Sequence, residues 1–144
     1  MANEARIQSS LQVRKTSGSI TVLDYRSQPS SYQATVTGTK GPVPGAINVP
    51  VTGVSVNFAE LTQPGLCRFM NLDATNFVTI GIYDGAAVFP VLELLPGEIQ
   101  VVRLSRYLQE EFAGTGTGTP SDVDQLWLFA DTAACNVLVE AFET

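Results

Sequence analysis

The sequence predicts an all-β fold, a jelly-roll-like antiparallel β-sandwich with at most one short helix. Two observations predict it. From Leu66 to Phe142 the chain runs as short alternating segments divided by turn residues, the rhythm of a sandwich or barrel. Only 15% of the 144 residues are charged, against roughly 25% in an average soluble domain. Gly, Thr, Ser, Asn, Gln and Pro fill the balance, which suits strands and turns. A chain this long can bury a core without metals or several disulfides, so one sandwich over 1–144 is expected.

The elements follow in order. Ile7, Leu11 and Val13 lie among polar residues, so 1–14 reads as either a first strand or an N-terminal arm. Thr16-Ser17-Gly18-Ser19 is a turn, and Ile20–Tyr25 and the alternating Tyr32–Thr37 are strands. Gly38–Gly45 is a loop rich in Gly and Pro. Ile47–Val51 and Val54–Phe58 are extended, with a bend at Thr52-Gly53. Leu66–Met70 opens the densest β region. In Phe77–Asp84, Val78, Ile80 and Ile82 share the face expected to meet the core. Asp84-Gly85 signals a hairpin into Ala86–Leu95, and Pro96-Gly97 a type II turn into Ile99–Leu104. Ser105–Phe112 is the one helix candidate, with Ser105 as cap and Leu108 and Phe112 four apart. Gly114–Pro120 is a low-complexity loop. Leu126–Asp131 and Cys135–Phe142 are expected to close the chain as a hairpin. Both faces of the last strand are partly apolar, so it is either central in the sandwich or covered by another subunit.

Composition narrows the function. The net charge is −6 and the pI near 4.4, and the eight basic residues are scattered. No basic stripe could follow a phosphate backbone, so no nucleic-acid partner is expected. The start lacks an apolar signal-peptide core and no segment reaches ~18 apolar residues, so no membrane partner is expected, and the protein is expected to be made in a cytoplasm and to stay there or leave only as part of something larger. The chain has no histidine, which removes Ser/His/Asp and Cys/His catalysis. No enzyme, catalytic residue, cofactor or metal is expected. Cys67 and Cys135 read as small buried residues rather than a disulfide, and two thiols without histidine do not make an ordinary zinc site. Asp122 and Asp124, near Glu110-Glu111, read as solvated loop charge rather than a carboxylate pair or a calcium site. The Gly/Thr loop lacks the lysine of a phosphate loop, since none follows Lys40. Trp127, Tyr107, Tyr83, Tyr32 and Tyr25 could form a carbohydrate platform, but read first as core or subunit interface.

The order of motifs from Pro64 to Phe142 resembles a group of small tailed-phage virion proteins. The resembling pieces are Pro64-Gly65-Leu66, Arg68–Asp73, Asn76-Phe77-Val78 with Ile80-Gly81, Phe89–Leu95, Pro96-Gly97-Glu98, Ile99–Leu104, and Leu126–Cys135 into Val137-Leu138-Val139. The chain departs from that pattern over Arg103–Gln125, where a longer segment replaces a short turn. The resemblance implies a non-enzymatic particle component on the capsid surface. A capsid cement or decoration protein comes first, and a tail, fibre or adaptor subunit second. A carbohydrate-binding module is the alternative from another class. The implied partners are the major capsid protein or other virion proteins, with a homodimer or homotrimer at symmetry positions. The expected contact elements are the N-terminal arm, the Gly38–Gly45 loop and the Arg106–Asp124 segment.

Overall fold

Alternation of inward apolar and outward polar residues sets the architecture, and a computed structural model describes it for residues 4–61, 64–83, 86–104 and 125–144. These residues form twelve strands, and the chain divides into two compact units, 1–36 and 37–144. The sandwich expected over 1–144 occupies the second unit.

The first unit is a β-ribbon. β1 (Glu4–Ser9) pairs with β4 (Ser30–Thr35), and between them β2 (Gln12–Ser17) pairs with β3 (Ile20–Arg26). Gly18, at φ +61°, makes the turn at the tip, where the left-handed conformation favours glycine. Across the gap between the two pairs, the Ser27 N–H donates to the Leu11 carbonyl at 2.8 Å and the Leu11 N–H to Ser27 Oγ at 2.8 Å. Residues 4–14 therefore hold the expected first strand, β1, and a second, β2, and both are paired rather than forming a loose arm.

The second unit is an antiparallel jelly roll. Its strands are β5 (Val43–Val49), β6 (Val54–Ser55), β7 (Pro64–Asn71), β8 (Val78–Tyr83), β9 (Val88–Leu94), β10 (Ile99–Arg103), β11 (Gln125–Ala130) and β12 (Cys135–Glu143). One sheet runs β10-β7-β12-β5 and the other β6-β11-β8-β9. The pairs β5–β12, β6–β11, β7–β10 and β8–β9 nest like the rungs of one long ribbon. Rolling that ribbon brings β7 beside β12 and β8 beside β11.

The core lies between the sheets. Cys135, Val137, Val139 and Ala141 of β12 point inward, as do Cys67 and Phe69 of β7, against Val78, Ile80 and Leu128 from the other sheet. The last strand is central in its sheet, between β7 and β5. Asn71 is the one polar side chain at full burial among the described residues. Its Nδ2 donates to the Asn76 carbonyl at 2.8 Å and to the Leu94 carbonyl at 3.2 Å, and its Oδ1 accepts from the Asp73 N–H at 3.0 Å. A satisfied buried amide of this kind joins the end of β7 to β9 in the opposite sheet.

Several expectations are corrected. β11 and β12 are not a hairpin, because they belong to different sheets and residues 131–134 arch between the layers. The expected Gly38–Gly45 loop ends earlier, since Val43–Gly45 already pairs with β12. The Pro96-Gly97 turn is present, with the Glu98 N–H donating to the Leu95 carbonyl at 2.9 Å and Gly97 at φ +72°, and it carries the chain from one sheet to the other. Ser105–Phe112, Gly114–Pro120 and the Asp84-Gly85 turn lie outside the described residues, although the β8–β9 pairing expected of that turn is present.

Two glycines differ in a testable way. A Cβ on Gly97 meets only open space, so alanine there costs the left-handed backbone alone, about 1–2 kcal/mol. Gly53, at φ +86°, sits against the Phe129 ring. Urea unfolding should therefore show Gly53→Ala losing clearly more stability than Gly97→Ala. Phe69→Ala, which empties the centre of the core, should lose about 3–5 kcal/mol.

Candidate binding surfaces

The two cysteines are buried and free. They lie on adjacent strands, but Cys67 stands opposite Ala141, six residues along β12 from Cys135. At ~3.3 Å per residue that offset is roughly 20 Å, beyond the reach of a disulfide. Burial pushes the Cys67 thiol up to about 12. The Cys135 thiol is raised by burial first and then by the negative charges of Asp73 and Asp131. Both thiols stay protonated and unreactive near neutral pH.

The aromatic candidates divide. Trp127 and Phe129 alternate on β11 and face outward with Tyr83 of β8. The Tyr83 and Trp127 rings are 5.0 Å apart and tilted by 45°, and Trp127 and Phe129 are 5.9 Å apart and nearly parallel. Trp127 and Phe129 are half-buried, and Gly53 lies against the Phe129 ring. The Trp127 indole N–H is buried without an acceptor among the described residues. Tyr25 and Tyr32 belong to the ribbon, on β3 and β4, and are not part of this row. Tyr107, Asp122, Asp124, Glu110, Glu111 and the Arg106–Asp124 segment lie outside the described residues. Among those that are described, no three His, Cys, Asp or Glu side chains gather as metal ligands, and no helix is long and apolar enough to cross a membrane.

Two surfaces emerge, of which the first takes in the expected N-terminal arm with Tyr25 and Tyr32 and the second includes no candidate residue. The first is the ribbon itself. In β2–β3, Val13 and Tyr25 face each other, as do Lys15 and Leu23, on one side, while Gln12, Arg14, Asp24 and Arg26 take the other. In β1–β4, Ala5, Ile7, Tyr32 and Ala34 share one side. Leu11, Val13, Ile20, Val22, Leu23, Tyr25 and Tyr32 are all exposed, Ile20 at 68%.

The second is the side of the sandwich where β9 and β10 are the sheet edges. Phe89, Val91, Leu95, Ile99 and Val101 are exposed there, Val91 at 58%. Ile99 and Val101 stand on the outer face, and Ile99 begins an apolar row that crosses the sheet through Met70, Leu138 and Ala46. Beside Val101 in the same row system, Arg68 forms a cross-strand ion pair with Glu140. A cavity of about 290 Å³ opens between Val91 and Leu92 of β9 and Val102 of β10, with Phe69, Ile80 and Leu126 behind them. The alternation of Ile99, Val101 and Arg103 with Gln100 and Val102 carries the signal for this face, but it does not say that β10 is an edge.

The β7–β8 connection is ordered by Asp73. Its Oδ1 accepts the Thr75 N–H at 2.8 Å and the Asn76 N–H at 2.7 Å, with the Thr75 hydroxyl at 3.0 Å and the Asn76 amide at 3.2 Å. The backbone donors of Asn76 and Thr75 hold this carboxyl down to about 2 from an ordinary 3.8. The unfolded chain therefore binds the proton first as pH falls, and the ionised loop's contribution is complete above 3.8 and lost through about 2.

Two outcomes follow. Asp73→Asn should lower the unfolding midpoint at neutral pH, and the gap to the natural chain should close as the pH falls from 4 toward about 2. A gap independent of pH would assign the effect to something other than the charge. An aromatic disulfide reagent should label neither cysteine in the native protein at pH 8 and both in urea, since each thiol is buried and protonated until the chain unfolds.

In comparisons against protein-family models, curated proteins and solved structures, the chain matches none.

Proposed function

We propose that this chain is a non-enzymatic structural protein of a tailed-phage virion, a capsid cement or decoration protein bound over the major capsid lattice. The observation that carries the reading is the combination of a jelly roll with apolar side chains along its β9–β10 edge and a ribbon on which seven large apolar side chains are exposed. Contiguous exposed apolar surface of this kind marks an interaction site. The motif order from Pro64 to Phe142 supports the virion setting. The mechanism is adhesion: the fold bridges joints between capsid subunits and resists their separation. Repeated sites on a symmetric particle, and a homodimer or homotrimer of this chain, multiply weak contacts into avidity. Synthesis is in the host cytoplasm, followed by residence on the capsid surface. The same sandwich as a tail, fibre or adaptor subunit differs only in its position on the particle.

A carbohydrate-binding reading is favoured by one feature, the outward row Tyr83, Trp127 and Phe129. Sugar rings stack on such faces.

Purified protein mixed with capsids that lack it should co-sediment, saturate at a fixed number of copies per particle, and raise the temperature at which the capsids open. Absence from capsids together with binding to tails would move the assignment to the tail. Glycan-array binding abolished by Trp127→Ala, with the circular dichroism spectrum unchanged, would establish the carbohydrate reading instead.

A further inference from the structure

We infer that the ribbon of one copy docks on the β9–β10 side of a second copy, so that the chain assembles head to tail. The ribbon is a two-stranded sheet, a form that is marginal alone in water. Its exposed Val13, Leu23 and Tyr25 lie on one face with Lys15, and Ile20 and Val22 extend that surface to the tip.

The sandwich offers one suitable edge. Among the described residues, β5 carries Pro42 before it and Pro44 within it, and β6 has two residues. β9 has Pro90 and a register shift beside it. Each of these features discourages strand addition. β10, Ile-Gln-Val-Val-Arg, has no proline and no shift in its register with β7. It presents Ile99 and Val101 outward and borders the 290 Å³ apolar cavity. An open edge beside apolar hollows is the arrangement that accepts an added strand.

Charge selects the occupant. The first 36 residues hold four of the eight basic residues (Arg6, Arg14, Lys15, Arg26) and two of the fourteen acidic ones (Glu4, Asp24). The ribbon is therefore net +2 and the remainder of the chain −8. The described residues of the sandwich keep that sign, with seven acidic side chains against three basic ones, so a basic ribbon with apolar teeth complements it. Because the two surfaces differ, the contact is heterologous and propagates from copy to copy until a ring closes.

The test uses sedimentation velocity on the full chain over a wide concentration range. One variant places charge on the ribbon (Leu23→Asp with Tyr25→Asp), and the other places it on the edge (Ile99→Lys with Val101→Lys). All four side chains are exposed, so the unfolding midpoints should stay within a few degrees of the natural chain. The natural chain should sediment as a discrete oligomer, and each variant as a monomer with association weakened at least tenfold. An equimolar mixture of the two variants should give a dimer, because it restores one intact ribbon facing one intact edge. A natural chain that is monomeric throughout, a variant that keeps the oligomer, or a mixture that stays monomeric would each overturn the inference. It stands apart from the virion reading, since an oligomer that ignores capsids would retain the one and remove the other.

Discussion

The pairing of β7 with β12 is the interaction on which the sandwich depends. The two strands lie far apart in sequence, and each is central in its sheet. Their facing pairs Val139–Phe69 and Ala141–Cys67 are completely buried. Side chains alternate with a period of two, so a one-residue slip would turn Val137, Val139 and Ala141 to solvent and bring Leu138 and Glu140 into the core. The register is fixed by that cost. The flanking strands then have little freedom: β5 follows β12, β10 follows β7, and the nested pairs carry the rest of the ribbon into the second sheet. Such non-local pairing must close long loops before burial rewards it.

Asn71 couples the layers at one end of this pairing. It ends β7, faces Val137 across the ladder, and reaches both the β7–β8 connection and the Leu94 carbonyl of β9. Asp73 then shapes the connection that Asn71 holds. A buried amide with both donors and its oxygen bonded adds specificity, because an alternative packing would leave it unpaired at a cost of about 1–3 kcal/mol. The apolar rows fix which faces meet, and this polar clamp fixes how the two sheets are offset at that end.

Most of the sandwich was legible because its signals are local. Alternation marked β7, β8, β10 and β12, and Pro96-Gly97 marked its turn by a mechanism that glycine's left-handed conformation explains. The misreadings share one cause. The short gap between Ala130 and Cys135 looks like a hairpin loop, but a loop of that length can also arch between layers, and only the partners of β11 and β12 decide which. Val43–Gly45 looked like loop because Gly and Pro predominate there, and an edge strand tolerates both. In sequence the ribbon reads as separate pieces for a related reason: β1 finds its partner beyond the whole β2–β3 hairpin. The thiols were legible as buried residues, but their separation required the register. The β9–β10 surface was not legible as a site, since exposure at an edge is a property of strand order and not of the strand.

Ribbon and sandwich use the same device, a chain folded back on itself in nested antiparallel pairs, and they differ in what the pairing achieves. In the sandwich the ribbon is long enough to roll, so inward residues of one half meet those of the other and the apolar face disappears from water. In the first 36 residues the ribbon is too short to roll. Its backbone hydrogen bonds are made, but Val13, Leu23 and Tyr25 remain on an open face. Backbone pairing alone contributes little net stability, since water offers the same bonds to the unfolded chain. A sheet that has satisfied its backbone without burying its side chains still gains from covering that face, at roughly 25 cal/mol per Å² of apolar surface removed from water. The jelly roll closes its core, and among the described residues it keeps β10 as an edge beside a cavity. Each unit therefore keeps apolar surface in water, and covering that surface is the source of free energy that the proposed assembly would draw on.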